Sequence, residues 1–414
     1  MDTNDESSSS ADPLFRTENP IFKQKELLEI DLVPDEDRIV GRDEEIQNVA
    51  NALNPAILGQ SPRNIIIYGK TGTGKSLVAR HVTGRAKDAA TTQETTLGVA
   101  YIDCAQANTE TRAIFSLAEQ LHCDAETSVS IPRSGIATDE YYSRFWSIID
   151  SLYDVVILIL DEIDKLDNDD ILMQLSRASE AGKVTECRIG IIAVSNKISY
   201  RDVLNERVKS SLQERELVFP PYDADQLCEI MAHRADAFKP GVLEDDAIPL
   251  AAAFAAGEHG DARKAFDILR NAGEIAVEED DATVGESHVR KARSRADVNR
   301  FADLVRNQPQ QVKVILLSLA FLVSSRDEPK IPSSDIYQQY CDFAAIVDIS
   351  QLSQRRVYDL LQEQAFLDIL GQEFEGRGRA RGSVMKFFLL EDPDTVVQAI
   401  TEQTDRFDGL MTAF

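Results

Sequence analysis

A glycine-rich loop near residue 70 has the residue types and the spacing that bind phosphate. Residues 69–76 read G-K-T-G-T-G-K-S, which matches the pattern G-x-x-x-x-G-K-[ST]. Glycines let backbone amides approach phosphate oxygens closely, and the helix N-terminus that follows adds positive potential. In this pattern Lys75 reaches the β- and γ-phosphates of a nucleotide, and the hydroxyl of Ser76 holds Mg²⁺. The predicted nucleotide-binding residues here are Gly69, Lys70, Thr71, Gly72, Thr73, Gly74, Lys75, Ser76 and Leu77.

Polar side chains follow two later apolar runs at the point where each run ends. Residues 155–160 are continuously apolar, as in a strand buried on both faces of a parallel sheet, and Asp161 and Glu162 come next. A carboxylate in this place can hold Mg²⁺, which is the role predicted for Asp161, and Glu162 can orient or deprotonate water. Residues 189–194 form another such run, and Asn196 after it could hydrogen-bond the attacking water or the γ-phosphate. An asparagine after a strand is, however, often only a turn residue.

These residues need a particular scaffold to meet. An apolar run at residues 65–68 leads into the glycine-rich loop, and a helix start follows the loop. Three buried strands interleaved with helical segments predict an α/β sheet of the P-loop class. From residue 223 to about residue 296, apolar residues recur at helical spacing, which predicts a helical segment after the sheet.

The composition is that of a globular chain with a strong excess of acid. The 414 residues carry a formal net charge of −27, and 43% of them are hydrophobic. This charge by itself disfavours nucleic acid as a partner, since nucleic acid is a polyanion. Two interpretations compete: a protein without a nucleic-acid partner, or a protein adapted to a very salty cytoplasm, where the Debye length is only about 3 Å. Residues 1–16 are predicted to be a disordered acidic tail, and no apolar run is long enough to span a membrane, so a cytoplasmic location is expected.

The C-terminal part has the pattern of a winged helix, which is three helices followed by a β-hairpin. Residues 312–323 predict an apolar helix, and Ser333 and Ser334 are expected to cap a second one. Ser350 or Ser353 begins a third helix, and residues 366–374 and 383–390 predict two strands. Arg355 and Arg356 lie on the outer face of the third helix, where a winged helix reads the major groove of DNA.

Local charge in this part runs against the acidity of the whole chain. Residues 376–386 contain three arginines and one lysine and no acidic residue. Arg377, Arg379 and Arg381 alternate with small residues at the tip of the predicted hairpin, from which they could enter a minor groove or follow phosphates. An Arg-Gly hairpin can also be a solvated turn, and winged helices also bind proteins.

Taken together, these stretches resemble the AAA+ ATPases and, more narrowly, the origin-recognition and cell-division-control type replication initiators of archaea, in a halophile-like form. Five regions carry the resemblance besides the phosphate loop and the two strand ends. They are residues 33–34 with 39–46, residues 131–146, residues 207–212 with 218–222, residues 260–265, and the predicted winged helix.

The resemblance implies further roles for single residues. Val40 and Tyr222 would contact the nucleotide, Asn196 matches the sensor-1 position, and Arg263 of the sensor-2 string would touch the γ-phosphate. Arg207 could face the nucleotide of a neighbouring subunit, although the position four residues further on, where some relatives carry an arginine finger, is serine. Arg133 lies where initiators have an extra helix that contacts DNA.

The resemblance also implies an organisation and a function. It predicts an AAA+ base at residues 17–221, a helical lid at 222–298 and a winged-helix domain at 299–414. Such a protein would bind double-stranded origin DNA sequence-specifically with ATP or ADP and Mg²⁺, hydrolyse ATP slowly as a switch, and help recruit the MCM helicase. Other copies or paralogues are possible partners, and the protein would be associated with the nucleoid. The alternatives are a chaperone-like or regulatory AAA+ ATPase whose winged helix binds a protein, and a transcription regulator.

Overall fold

The computed structural model describes residues 19–29, 39–123, 127–212, 215–258, 260–326, 328–367, 369–376, 383–402 and 405–411. The acidic tail predicted at residues 1–16 lies outside these ranges, as do Arg377, Arg379 and Arg381. The chain divides into two compact units, Met1–Val289 and Arg290–Phe414. Within the described ranges, no helix combines the length and the apolar character needed to cross a membrane.

The first unit is built on a five-stranded parallel sheet. Its strands are β1 (Ile65–Gly69), β2 (Leu97–Asp103), β3 (Val155–Asp161), β4 (Arg188–Ser195) and β5 (Arg215–Phe219), in the spatial order β2-β3-β4-β1-β5. All four strand pairs are parallel, and every residue of β1 and β3 is buried. The register aligns the carboxyl ends, with Asp103 opposite Asp161 and Tyr68 opposite Ser195. The predicted P-loop α/β sheet is therefore confirmed.

Helices cover both faces of this sheet. They are α1 (Asp43–Ile57), α2 (Lys75–Thr92), α3 (Glu110–Leu121), α4 (Thr138–Leu152), α5 (Asp170–Ser176), α6 (Tyr200–Val203) and α7 (Glu206–Leu212). Side chains alternate between the faces along a strand, so Ile65 and Ile67 pack in one core and Ile66 and Tyr68 in the other. The sheet is thereby fixed in register from both sides.

Four helices follow the sheet along the chain: α8 (Ala224–Ala232), α9 (Ala247–Gly257), α10 (Ala262–Glu278) and α11 (Glu286–Val305). Asp223 and Gln226 form a capping box that starts α8, because the side chain of each accepts the backbone N–H of the other. The predicted boundary between the lid and the winged-helix domain, at residues 298 and 299, falls inside helix α11. The end of the lid at this position therefore stays a prediction.

The second unit is a winged helix with additional C-terminal helices. Its further elements are α12 (Gln310–Arg326), β6 (Ile331–Pro332), α13 (Ser333–Ile346), α14 (Gln354–Phe366), β7 (Leu370–Gly376), β8 (Ser383–Leu389), α15 (Pro393–Thr401) and α16 (Asp408–Met411). The three strands are antiparallel in the order β6-β8-β7. The predicted winged-helix fold is confirmed.

Two local predictions in this unit were wrong. Ser333 and Ser334 lie inside α13 and do not cap it; the cap residue is Pro332, which has extended dihedral angles and pairs with Lys386 across the sheet. The first strand of the hairpin starts at Leu370, whereas Phe366 is the last residue of α14 and is exposed, so its apolar character does not indicate a buried strand. Ser353 does begin α14, with its hydroxyl accepting the N–H of Arg356 at 3.4 Å.

Candidate nucleotide-binding site

The glycine-rich loop connects β1 to α2 and turns at glycines. Gly74 has a left-handed φ of 82° and precedes the first residue of α2. A Cβ atom at Gly74 would lie 2.6 Å from the hydroxyl of Tyr222, so a glycine is required there for space as well as for conformation. The Nζ atom of Lys75 donates to the carbonyl oxygen of Lys70 at 2.6 Å, which folds the ammonium group over the loop. Burial lowers the pKa of Lys75 to about 8, although the nearby Asp161 carboxylate opposes this shift.

The second half of the site is a chain of hydrogen bonds at the ends of β3 and β4. Asp161 is buried, and its Oδ1 atom accepts the N–H of Glu162 at 2.9 Å. Glu162 has a left-handed φ of 50°, and its Oε1 atom accepts a hydrogen bond from Nδ2 of Asn196 at 3.0 Å. Asn196 therefore fixes the carboxylate of Glu162, which distinguishes it from a simple turn residue.

These two halves face one cavity of ≈ 340 Å³. Its lining consists of Ile39, Val40, Thr71, Gly72, Gly74, Lys75, Ser76, Leu77, Arg80, Tyr101, Asp161, Glu162, Asn196, Tyr222, Ile230, Arg234, Ala262, Arg263 and Phe266. Among the predicted residues, Gly69, Lys70 and Thr73 are not in this lining and help to build the loop; the hydroxyl of Thr73 donates to the carbonyl of Lys70 at 2.9 Å. The other predicted nucleotide residues all meet at the cavity.

The cavity lining also contains apolar side chains that could contact a flat base. Val40, Ile230 and Phe266 are among them, and Arg234 places its guanidinium 4.4 Å from the centre of the Phe266 ring. Sequence reasoning missed Arg234 and Phe266. Phe266 could have been found, because it lies three residues after Arg263 on α10 and so on the same helix face.

Arg42 is a further residue that the sequence analysis did not single out. It is 1% exposed, and its Nε atom donates to the carbonyl of Thr73 at 3.1 Å. Its NH2 atom donates to the carbonyl of Pro220 at 2.5 Å, and the guanidinium lies 3.9 Å from the centre of the Tyr222 ring. One buried side chain thus joins the glycine-rich loop to the segment between β5 and α8. No local pattern reveals it, since Pro220 is 178 residues away.

The start of α10 lies against the glycine-rich loop. Asp261 caps α10 by accepting the N–H of Arg263 at 2.8 Å, and the N–H of Ala262 donates to the carbonyl of Gly72 at 3.3 Å. A Cβ atom at Gly72 would lie 1.6 Å from Oδ1 of Asp261. The loop and α10 are therefore in direct contact, which places Arg263 at the cavity.

Among the described residues, four of the predicted DNA-contacting and subunit-facing arginines lie at the surface. Arg355 and Arg356 are exposed in the first turn of α14, and Arg356 pairs with Glu363 at 3.4 Å. Arg133 is also exposed, but it precedes α4, which begins only at Thr138, so it does not lie on a helix. Arg207 is exposed on α7.

Known proteins and protein families match this chain over nearly its whole length. Residues 38–189 match the AAA ATPase domain, residues 228–294 the Cdc6 AAA+ ATPase-type lid domain, and residues 303–399 the CDC6 C-terminal winged helix domain. The chain is 51% identical over 403 residues to ORC1-type DNA replication protein 4 of Halobacterium salinarum, covering 97% of this chain and 98% of that protein. It is 44% identical over 405 residues to ORC1-type DNA replication protein 17 of Haloarcula marismortui, covering 96% and 99%.

A solved structure agrees with these matches. The Aeropyrum pernix ORC1 protein in complex with DNA superposes with a TM-score of 0.67 and 34% identity, covering 93% of this chain and 98% of that chain. Fold and cavity together define the chain as a AAA+ ATPase with a C-terminal winged helix, a class that binds nucleotide. Within that class it belongs to the ORC1-type DNA replication proteins, the Cdc6-like initiators of archaea. The two halophilic relatives favour the salt-adapted interpretation of its acidity.

Proposed function

We propose that the chain is an ATP-dependent replication initiator that binds origin DNA and helps recruit the MCM helicase. The observation that supports this most is the meeting of Lys75, Asp161 and Arg263 at one cavity, in a chain that also contains a winged helix. The first unit would supply the nucleotide-dependent state, and the second unit the contact with DNA. Acting on the chromosome, the protein would be associated with the nucleoid in the cytoplasm.

The donor set at the cavity fits a magnesium ion. Ser76 and Asp161 both line the cavity and offer a hydroxyl and a carboxylate, which are the oxygen ligands that Mg²⁺ prefers. Bound there, the ion would neutralise charge on the β- and γ-phosphates. We assign Ser76 and Asp161 to hold it.

The protein's own side chains account for the remaining chemistry of hydrolysis. Lys75 would pair its ammonium with the phosphates, and their negative charge would raise its lowered pKa again. Glu162, held by Asn196 at 3.0 Å, would orient and deprotonate the attacking water. Arg263 would contact the γ-phosphate from α10, a contact that is lost with ADP. Binding of ATP would thus favour one position of α10 over another, and slow hydrolysis would make the protein a switch.

Contact with DNA is assigned to the winged helix. Arg355 and Arg356 are exposed at the start of α14, which corresponds to the helix that enters the major groove in such folds. Arg377, Arg379 and Arg381, which lie outside the described residues, come between β7 and β8 in the sequence and would supply further positive charge for DNA. The relative from Aeropyrum pernix was solved in complex with DNA, which supports the same role here.

The test is capture of sheared genomic DNA from the organism that encodes the chain, at near-molar salt and with ATP. The wild-type protein is expected to enrich a few repeated sites, to which purified MCM helicase is then added. A variant with Arg377→Ala, Arg379→Ala and Arg381→Ala is expected to lose that enrichment while it still binds ATP. A control with Arg63→Ala, Arg112→Ala and Arg177→Ala removes the same charge from exposed positions of the first unit and is expected to keep it. Lack of enrichment by a folded, ATP-bound wild-type protein would contradict the proposal.

A further inference from the structure

Tyr101 is a cavity residue to which neither the sequence patterns nor the family comparison assigns a role. It lies on β2, the edge strand next to β3, and its hydroxyl donates to Oδ2 of Asp161 at 2.8 Å. Glu162 already donates its N–H to the other oxygen, Oδ1, at 2.9 Å. Both oxygens of the Asp161 carboxylate are therefore held by the protein, from two directions.

Tyr101 is itself fixed in place from two sides. Its backbone N–H donates to Oε1 of Gln120 at 3.0 Å, and its carbonyl accepts from Nε2 of Gln120 at 2.7 Å. The guanidinium of Arg80 lies 4.9 Å from the centre of its ring. Arg80 is four residues after Ser76 on α2 and so on the same helix face. The tyrosine is thus tied to α3 and to the helix that carries the other proposed metal ligand.

We propose that Tyr101 is a positioning residue that orients the Asp161 carboxylate for Mg²⁺, an inference that rests on the magnesium-nucleotide function proposed above. A carboxylate oxygen can accept about two hydrogen bonds or ligands, so one hydrogen bond to each oxygen leaves both able to bind a metal ion. What the two bonds remove is rotation of the carboxylate about its χ2 torsion, which is otherwise soft. A carboxylate held in advance loses less conformational freedom when it takes up the ion.

The hydrogen bond to Asp161 depends on the hydroxyl of Tyr101 alone. Phenylalanine would keep the ring under Arg80 and remove only this hydrogen bond.

The test compares Tyr101→Phe with Tyr142→Phe. Tyr142 is a matched control, because its hydroxyl also donates to a carboxylate at 2.8 Å, that of Glu110, in the same unit but outside the cavity lining. ADP affinity is measured in EDTA and across a Mg²⁺ titration, and binding of Mn²⁺ to the ADP complex is followed by electron paramagnetic resonance. Tyr101→Phe is expected to raise the Mg²⁺ midpoint about tenfold and to leave ADP affinity in EDTA unchanged. Tyr142→Phe is expected to match the wild type in both.

The outcomes separate the positioning role from the site itself. An unchanged Mg²⁺ midpoint and Mn²⁺ spectrum in Tyr101→Phe would overturn the inference, while Asp161→Asn would still lose the metal if the site is correct. A wild-type protein that binds ADP equally well with and without Mg²⁺ would instead remove the metal site proposed for Ser76 and Asp161. Loss of ADP affinity in EDTA by Tyr101→Phe would assign the tyrosine to nucleotide binding and also overturn the inference.

Discussion

The nucleotide cavity and the winged helix place their functional side chains in opposite environments. At the cavity, Lys75 and Asp161 are buried, and hydrogen bonds from distant parts of the chain fix the polar groups around them. On the winged helix, Arg355 and Arg356 project from the first turn of α14 into solvent. A buried, prearranged group is sensitive to the loss of a single atom. Exposed charges each add a similar amount to DNA affinity, and their contribution falls as the salt concentration rises. The two units should therefore respond to mutation in different ways.

The largest effect is expected at Lys75. Lys75→Ala removes the ammonium from the phosphate loop, and we expect nucleotide affinity to fall at least about 100-fold, because hydrogen bonds to charged groups are the strong ones. DNA binding by the winged helix should be largely retained. Isothermal titration with ADP and a DNA-binding assay measure the two. Lys87→Ala, an exposed lysine on the same helix α2, is the control. A folded Lys75→Ala protein that loses DNA binding would show that the units depend on each other more than this comparison allows.

Hydrolysis should be lost separately from binding at Glu162. Glu162→Gln keeps an oxygen for the hydrogen bond from Asn196 but removes the base, so we expect the single-turnover rate of ATP hydrolysis to fall by about 100-fold or more. ATP affinity should stay within about twofold, as losing the base leaves the phosphate contacts in place. Glu110→Gln, which changes a carboxylate outside the cavity, should leave both unaltered. Equal losses in rate and affinity would argue against a role for Glu162 as the base.

The lowered pKa of Lys75 predicts a pH dependence of nucleotide binding. In the free protein the lysine is protonated below its pKa of about 8 and loses its proton above it. Bound phosphates favour the charged form, so binding above pH 8 must take up a proton, and ADP affinity should fall about tenfold between pH 7 and pH 9. Lys75→Arg should be flat over this range, since arginine remains charged. If the ADP affinity of the wild-type protein does not change between pH 7 and pH 9, Lys75 does not take up a proton on binding.

A smaller effect is expected where α10 meets the loop. Gly72→Ala would put a Cβ atom against Asp261, in addition to the strain of a positive φ of 74°. Gly241→Ala is a matched control, because Gly241 has a similar φ of 78° with nothing within 4 Å. Both should lose about 1–2 kcal/mol of stability from backbone strain, and only Gly72→Ala should also weaken ATP binding. Thermal unfolding measures the stability of the two variants, and titration with ATP measures their ATP affinity. Equal ATP affinity in the two variants would show that the contact between α10 and the loop does not contribute to ATP binding.

The smallest single effects belong to the winged helix. For the pair Arg355→Ala and Arg356→Ala we expect a modest loss of DNA affinity, with the slope of log K against log salt reduced by about 1 for each lost phosphate contact. Arg326→Ala, in the same unit and paired with Asp335, should not change the slope. An unchanged slope of log K against log salt in the double variant would show that Arg355 and Arg356 do not contact DNA phosphates.

Much of the sheet could be predicted because its signals are local. A strand buried on both faces must be continuously apolar, and the polar residue that ends it is adjacent in sequence, which is why Asp161 and Asn196 were found. The cap at Ser353 follows from the same kind of short-range pattern. The start of the hairpin strand was misplaced because Phe366 and Leu367 are apolar but exposed at the end of α14, and the sequence does not reveal that exposure.

The residues that were missed share a different property. Arg42, Tyr101 and Arg234 each have one hydrogen-bond partner far away along the chain, at separations of 178, 60 and 207 residues respectively. Tyr101 has only the pattern of a strand residue, and Arg234 that of a basic residue after a helix. Their roles depend on which strands and helices are neighbours in space, and one sequence carries no direct record of that.

The buried guanidinium of Arg42 also affects how a conformational change in the glycine-rich loop would be transmitted to the chain before α8. It binds the carbonyl of Thr73 in the loop and the carbonyl of Pro220 ahead of α8, while stacking on Tyr222. A guanidinium is planar and stiff, so a shift of the loop backbone at Thr73 is passed on as displacement of the chain before α8 or is opposed by it. The state of the loop and the position of the helices that begin there are mechanically coupled through one side chain that does not line the cavity.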